Sequence, residues 1–301
     1  MNMKSSLLLT AFVVLAVSAP AQNAPNPLPS PPPAPIDQPD SRPVTKKESE
    51  DINAAIIAAR AATKDKRYTE SESLMLKATN SNPNLILPWV ELGLAQIGLK
   101  KYSDAEVSFK IALGIDPASV KRAHSSDFYQ QADAPGVVAP SATRASRNVA
   151  GGGVADSGEK RTPDIIGASY ASLGEIYTHQ GKAAEAQAAF DTAVKSFPTD
   201  AALYRRNETI FFFQAGNSDA QLAAADQAIA IDPGRAMLYY FRGQALVAKA
   251  TIDPKTQKMM FPPGCIEAYQ KYLDMDPNGP YSADAKAILT AAGVPIKSAK
   301  K

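Results

Sequence analysis

The segment YASLGEIYTHQGKAAEAQAAFDTAVKSFP, which runs from Tyr170 to Pro198, decides the fold. Its apolar and small residues return at the spacing of two short amphipathic helices. The small residues Gly174 and Ala186 would let two antiparallel helices approach closely, and Phe190 would fill the space beside them. Pro198 would end the second helix, because its ring fixes φ and removes a backbone N–H. The segment therefore predicts a helix hairpin.

The same pattern recurs along the chain. Five prolines fall at position 32 of a 34-residue unit: Pro83, Pro117, Pro198, Pro233 and Pro277. The second and third units fill the remaining positions with matching residue types, which are Trp89, Leu92, Gly93, Tyr102, Ala105, Phe109 and Ala112, then Tyr170, Leu173, Gly174, Tyr177, Ala183, Ala186, Phe190 and Ala193. These residues resemble the tetratricopeptide repeat (TPR), which implies an all-α, right-handed superhelix of antiparallel helix hairpins.

The flanking units depart from this pattern. Ala55 replaces the usual aromatic residue at position 4 of the first unit, and Ala225 replaces the aromatic residue of the second helix in the fourth. The fifth unit inserts about ten residues, 251–260, before its second helix, which carries Cys265. A last helix near 281–292 would close the stack, as repeat arrays require for solubility. We therefore expect about five repeats and a C-terminal capping helix.

The residues expected to pack the hairpins are those at the repeat positions. They are Trp89, Gly93, Ala105, Phe109, Pro117, Tyr170, Gly174, Ala186, Phe190, Pro198, Gly243 and Pro277.

The N-terminus has the form of a cleavable export signal. Lys4 precedes an apolar run from Leu7 to Val17, broken only by Thr10, and Ala19-Pro20-Ala21 is a small-x-small cleavage site. The run is too short to span a bilayer, so no membrane insertion is expected after cleavage. Retention of the segment as an anchor is the alternative. The sequence predicts a periplasmic or secreted protein.

Composition sets the remaining boundaries. Ten of the 24 prolines lie between Pro20 and Pro43, which favours an extended tether. A Gly/Ala/Ser-rich stretch separates the second repeat from the third and reads as a disordered insertion, so that the two repeat blocks either move separately or form one continuous stack. The expected organisation is 1–21 signal peptide, 22–44 Pro-rich linker, 45–117 repeats 1–2, 118–162 insertion, 163–279 repeats 3–5, 280–293 capping helix and 294–301 tail.

Several classes of chemistry find no support in the sequence. The formal charge of +2 is spread over mixed acidic and basic residues, so a nucleic-acid partner is not expected. The histidines, His124 and His179, have no second metal ligand at a suitable spacing, and Cys265 occupies a small-residue position with no nearby base. The Gly-rich segment from Gly153 to Lys160 lacks the residue order of a phosphate loop. No enzyme activity, metal or cofactor is expected.

A binding surface is what remains. In TPR folds the first helix of each hairpin lines the concave side, so the resemblance implies a groove at the corresponding positions. These groove residues are Leu94, Glu175, His179, Arg205, Thr209, Phe212, Phe213, Tyr240 and Gln244. The lysine and asparagine clamp of chaperone-adaptor TPR domains is absent, since Ile56, Arg60, Val90 and Leu94 stand at its positions.

Residues 163–292 also resemble exported bacterial TPR proteins, whose last repeat has the same broken form as the segment from Ala250 to Tyr281. We expect a non-catalytic scaffold of the cell envelope that holds a protein partner, as a helix or an extended peptide, in the groove. A self-associating assembly protein, with homo-oligomers formed through the ends of the stack, is the alternative. An enzyme or carbohydrate-binding function in residues 118–162 is the third reading.

Overall fold

A computed structural model describes residues 45–115 and 161–295. The expected signal peptide, the Pro-rich linker, Pro117, His124, the segment from Gly153 to Lys160 and nearly all of the insertion lie outside these ranges. Within them about 74% of the residues are helical, and the predicted all-α class of packed helix hairpins is confirmed. The helices are α1 Lys46–Lys64, α2 Tyr68–Ser81, α3 Ile86–Gly98, α4 Tyr102–Ala112, α5 Pro163–His179, α6 Ala183–Ser196, α7 Ala201–Gln214, α8 Ser218–Ile231, α9 Ala236–Val247, α10 Cys265–Met275 and α11 Ser282–Ala291.

Helix ends follow the signals in the sequence. Thr45 opens α1 with the predicted capping box: its Oγ1 accepts from the Glu48 N–H at 3.2 Å, and its own N–H donates to Glu48 Oε2 at 2.9 Å. The second helices α2, α6, α8 and α10 each end two residues before the repeat proline, at Ser81, Ser196, Ile231 and Met275. Proline therefore sets the boundary between repeats as expected.

In two units, the aromatic residue at position 4 forms a hydrogen bond to the carbonyl of the preceding repeat proline. Trp89 Nε1 donates to the Pro83 carbonyl at 2.9 Å, and the Tyr239 hydroxyl donates to the Pro233 carbonyl at 3.1 Å. Both bonds span six residues and satisfy a carbonyl that the turn leaves without a helical partner. The repeat aromatic residue thus fixes the turn as well as filling space.

Close helix approach is made at the small positions. A Cβ at Gly93 would lie 2.6 Å from the Phe109 ring, one at Gly174 would lie 2.6 Å from the Phe190 ring, and one at Gly243 would lie 2.9 Å from the Tyr269 ring. All three rings are buried. Hairpins two, three and five therefore each pack an aromatic ring of the second helix directly against a glycine of the first helix.

The hairpins stack in sequence order. The second helix of each hairpin packs against the first helix of the next, and α11 packs against α10 at the end of the stack. The first helices α1, α3, α5, α7 and α9 also contact one another, whereas neighbouring second helices make little or no contact. A stack whose first helices are the more closely spaced curves toward them. We call the layer formed by these five first helices the inner layer.

Hairpins two and three join directly, although residues 116–160 separate them in the sequence. Helix α4 packs against α5, and Ile165, Leu173 and Ile176 of α5 belong to one apolar core with Leu92 and Phe109 of the second hairpin. This packing is the arrangement expected of one continuous stack.

A polar cluster around Glu106 reinforces the junction. Glu106 of α4 accepts from Lys110 Nζ at 2.7 Å, from Gln180 Nε2 at 3.1 Å and from the Tyr177 hydroxyl at 3.4 Å. Lys182 Nζ lies 4.0 Å from the same carboxylate. Burial alone would raise the pKa of Glu106, but the hydrogen bonds from Lys110 and Gln180 outweigh it and lower this pKa. The carboxylate is therefore held in its charged form by groups on both sides of the junction.

Replacing Glu106 with glutamine is expected to lower the free energy of unfolding by about 1–2 kcal/mol at pH 7, because the charged hydrogen bonds are lost. The pKa of this carboxyl is lowered in the folded protein, so its contribution is present above the unfolded pKa and is lost as pH falls through the folded pKa. Urea denaturation at pH 7 and pH 4 measures this difference. A cost that does not shrink at the lower pH would contradict the assignment.

The fifth hairpin differs from the others between its two helices. After α9 the chain forms two short antiparallel strands, β1 Thr251–Ile252 and β2 Met259–Met260, with Ile252 opposite Met259. We call residues 251–260 the ribbon. It corresponds to the insertion expected in the fifth unit. The sequence predicted no secondary structure there, whereas the structure shows two paired strands.

Candidate functional site

Most of the predicted groove residues face the packing between helices. Six of the nine are buried, so their side chains do not offer a surface to a partner in this structure: Leu94, Glu175, Arg205, Thr209, Phe212 and Tyr240. The physical reason is contact with other helices of the stack: Arg205 donates to Asp191 of the second helix α6, and Phe212 packs in one cluster with Ala186 of α6. Tyr240 stacks on Tyr281, which precedes α11. Phe212 in particular is fully buried, and only Phe213 of this pair is half-buried.

Three predicted groove residues keep accessible side chains. His179 is exposed, and Phe213 and Gln244 are half-buried. They occupy the second half or the end of α5, α7 and α9, three consecutive helices of the inner layer. Tyr102, also half-buried, contacts this set from the start of α4. We call Tyr102, His179, Phe213 and Gln244 the inner row.

An aromatic stack forms one end of the inner row. The imidazole of His179 lies on the Tyr102 ring with centroids 4.5 Å apart and planes 16° apart, and the Phe211 ring meets the imidazole edge-on at 6.3 Å. One face of His179 is thus shielded while the residue remains exposed. This loss of water lowers the pKa of His179, and the positive charge of Lys100 lowers it further.

Burial and the neighbouring Glu175 both change the pKa of Tyr102. Burial raises the pKa of Tyr102 to about 12, and the negative charge of Glu175 adds to the shift. At neutral pH the stack therefore presents a neutral imidazole and a phenol that keeps its proton. Such a pair offers aromatic faces and hydrogen bonds without a net charge.

The other end of the inner row is apolar and amide-bearing. Phe213 packs against Phe241 with ring centroids 4.9 Å apart. Gln244 Oε1 accepts from Gln221 Nε2 at 3.2 Å, and that same amide also donates to the Phe241 carbonyl at 2.7 Å. Contacts with the buried residues Phe241 and Gln221 therefore hold the half-buried side chains of Phe213 and Gln244 in place.

Hairpin four contains a buried polar cluster that replaces the usual glycine and aromatic pair. Glu208 stands at the small position and Ala225 at the aromatic position, so the large and small residues are exchanged between the two helices. Glu208 accepts from Arg205 at 2.7 Å, and Arg205 also reaches Asp191 of α6 at 2.5 Å. Burial raises the pKa of Glu208 to about 7 although the Arg205 hydrogen bond acts in the opposite direction.

The packing residues predicted from the repeats lie between the helices with few exceptions. Gly93, Ala105, Phe109, Gly174, Ala186, Phe190 and Gly243 are buried, whereas Trp89, Tyr170 and Pro277 are half-buried and Pro198 is exposed. The exposure of Pro198 fits a residue that acts on the backbone instead of filling space.

Few side chains in the described ranges could react with a substrate or bind a metal ion. Cys265 is fully buried, its thiol lies 3.6 Å from the Gly243 carbonyl, and burial raises its pKa to about 11, which suits the small packing residue expected there. Across 45–115 and 161–295, no three His, Cys, Asp or Glu side chains are grouped so as to hold a metal ion. None of the described helices has the length and apolar character needed to cross a membrane.

Comparison with known proteins identifies part of the chain. Residues 167–200 match the family described as tetratricopeptide repeat. This range is the 34-residue unit in which Pro198 holds position 32. No curated protein matches the sequence.

Several solved structures are similar in fold at low sequence identity. YrrB, described as a TPR protein with an unusual peptide-binding site, is 15% identical, covers 77% of this chain and 90% of its own, and has a TM-score of 0.45. A double mutant of MamA RS-1 is 14% identical, with 78% and 97% covered and a TM-score of 0.47. The TPR2AB domain of yeast Sti1, in complex with pHSP90, is 14% identical, with 83% and 85% covered and a TM-score of 0.32.

The family match falls on a hairpin whose glycine and aromatic ring recur at the same positions in hairpins two and five. Residues 167–200 thus match a tetratricopeptide repeat, and the described residues form an all-α stack of helix hairpins of the tetratricopeptide repeat type.

Proposed function

We propose that this protein is a non-catalytic scaffold that binds a partner protein, as a helix or an extended segment, along the inner layer. One observation carries the proposal: three of the four inner-row residues, His179, Phe213 and Gln244, come from successive first helices, on the side toward which the stack curves, and Tyr102 of α4 stacks on the first of them. A helix or peptide lying across the stack would meet them one after another.

The chemistry of the inner row favours a neutral, partly apolar partner surface. The Tyr102–His179 stack and Phe213 offer aromatic faces, and Gln244 offers an amide. Rigid aromatic side chains give large contact area at a small cost in conformational entropy, and they are common at binding hot spots. Their supporting contacts with Phe211, Phe241 and Gln221 would reduce the ordering cost of binding.

A location in the cell envelope belongs to the same proposal. It is supported by the export-signal pattern of residues 1–21 and by the resemblance to exported bacterial TPR proteins. The partner would then be another protein of that compartment.

The test uses the full chain and a variant with His179→Ala and Gln244→Ala. Both side chains are accessible, so the variant should keep the fold of the parent. Proteins captured from an envelope extract by the parent are identified, and the affinity of a purified partner is then measured for both chains by calorimetry. We expect the dissociation constant to rise about tenfold or more in the variant.

Leu76→Ala is the matched control, because Leu76 is an exposed apolar residue on the second helix α2. It should leave the affinity unchanged. Equal affinity of the parent and the double variant would overturn the proposal, as would a loss of affinity in the Leu76 variant alone.

A further inference from the structure

The ribbon belongs to a helix-to-helix connection that is much longer than those of the other four described hairpins. The first and second helices of the other four are joined by three residues, 65–67, 99–101, 180–182 and 215–217, whereas 17 residues, 248–264, join α9 to α10. The base of this connection is fixed: Phe261 packs into the core of the last hairpin, and Lys249 pairs with Asp219 of α8 at 2.6 Å. The ribbon is therefore held at a defined position at one end of the fifth hairpin.

Three aliphatic side chains are exposed together on the ribbon. Ile252 is 62% exposed, and Met259 and Met260 are each 49% exposed. Ile252 and Met259 are paired across the strands, so their side chains lie on the same face, whereas Met260 is paired with Thr251 and lies on the other face. Water contact of the adjacent Ile252 and Met259 side chains is unfavourable, and exposed apolar clusters usually mark interaction sites.

The charges beside these side chains are positive. The single acidic group, Asp253, is engaged within the turn, because its Oδ1 accepts from the N–H groups of Lys255 at 2.8 Å and Thr256 at 3.3 Å. Lys255 and Lys258 are exposed, and no acidic side chain in the described ranges forms an ion pair with either. Two lysines against one aspartate leave the ribbon with a net charge of +1.

We propose that the ribbon docks peripherally on a lipid bilayer that carries anionic headgroups, with the face that holds Ile252 and Met259 entering the interface and Lys255 and Lys258 contacting phosphates. Flexible aliphatic side chains flanked by lysine suit a fluid interface. A second copy of the chain fits less well, because strands of two residues leave few backbone groups for sheet extension. This docking is independent of partner binding on the inner layer.

The experiment places an environment-sensitive fluorophore on the full chain at Thr256→Cys, in the exposed turn of the ribbon, or at Ser73→Cys, on the exposed side of α2. The native Cys265 is fully buried and so does not compete for the label. Vesicles of phosphatidylcholine with or without about one third phosphatidylglycerol are added. Comparing the two label sites separates ribbon contact from any binding by the apolar run from Leu7 to Val17.

We expect a blue shift for the label at residue 256 with anionic vesicles, and none for the label at residue 73. Adding Ile252→Ser and Met259→Ser should weaken the vesicle dependence of this shift about tenfold or more, and Lys255→Glu with Lys258→Glu should remove the preference for anionic lipid. The paired control Ile57→Ser and Ile231→Ser, at exposed aliphatic residues elsewhere, should change nothing.

Absence of a shift at residue 256 would overturn the proposal, as would a shift that survives the serine substitutions at Ile252 and Met259. Light scattering on the same samples tests the rival occupant. A dimer that the serine substitutions convert to monomer, without vesicle binding by the parent, would assign the ribbon to contact between copies.

Discussion

Replacing Phe190 with alanine is expected to lower the free energy of unfolding by about 3–5 kcal/mol. The ring is fully buried and packs directly against Gly174, where even a methyl group would lie 2.6 Å from the ring. Removing the ring leaves a cavity between the two helices of the third hairpin. It also removes the contact with Gly174, which is equivalent to the contact between Phe109 and Gly93 in the second hairpin. Urea denaturation followed by far-ultraviolet circular dichroism measures the change.

The paired substitution Gly174→Ala tests whether the close approach is the cause. Alone it should cost about 1–3 kcal/mol, because the new methyl group overlaps the ring of Phe190. Combined with Phe190→Ala it should cost clearly less than the sum of the single changes, since the small side chain removes the overlap. Additive costs would show that the glycine and the ring do not act as a pair.

The second large effect is a dependence of stability on pH that arises from Glu208. Its pKa is raised to about 7 in the folded protein from a usual value of 4.5, so the folded state keeps a proton that the unfolded state has lost between these values. Stability from this group is therefore fully present below pH 4.5 and declines as pH rises to about 7. Glu208→Gln should remove this decline, which amounts to about 2–3 kcal/mol across the window.

The measurement compares urea denaturation of the parent and Glu208→Gln from pH 4.5 to pH 7.5. The stability of the variant relative to the parent should increase as pH rises. Glu106→Gln provides the contrast, because the pKa of Glu106 is lowered, so its contribution is lost only as pH falls below the unfolded pKa and the variant should differ from the parent by a nearly constant amount over this range. A difference for Glu208→Gln that does not vary with pH would contradict the raised pKa.

The fold could be predicted from the sequence because the repeat is built on backbone constraints. Proline at position 32 follows the end of four of the five described second helices by two residues, and glycine at position 8 admits the ring at position 24 in hairpins two, three and five. These effects are local to one hairpin, so a single sequence carries them. The capping box at Thr45 and the burial of Cys265 followed from the same kind of local reasoning and are confirmed.

The accessible surface could not be predicted in the same way. A repeat position states which helix a residue belongs to, but the burial of Arg205 and Phe212 depends on residues of the preceding hairpin, Asp191 and Ala186, which no single repeat encodes. The stack of His179 on Tyr102 joins residues of different hairpins. The buried carboxylate of Glu208 could have been predicted from the sequence. Glu208 occupies the position of the usual glycine and Ala225 that of the usual aromatic residue, so the large side chain comes from the first helix instead of the second.

The most direct test of the scaffold proposal is a photo-crosslinking amino acid placed in the full chain at His179, on the inner layer, and separately at Leu76, on a second helix. Each protein is irradiated in an envelope extract, and covalent adducts are resolved by mass. Our account predicts a discrete adduct from residue 179 and none from residue 76. A discrete adduct from residue 76 with none from residue 179 would contradict it.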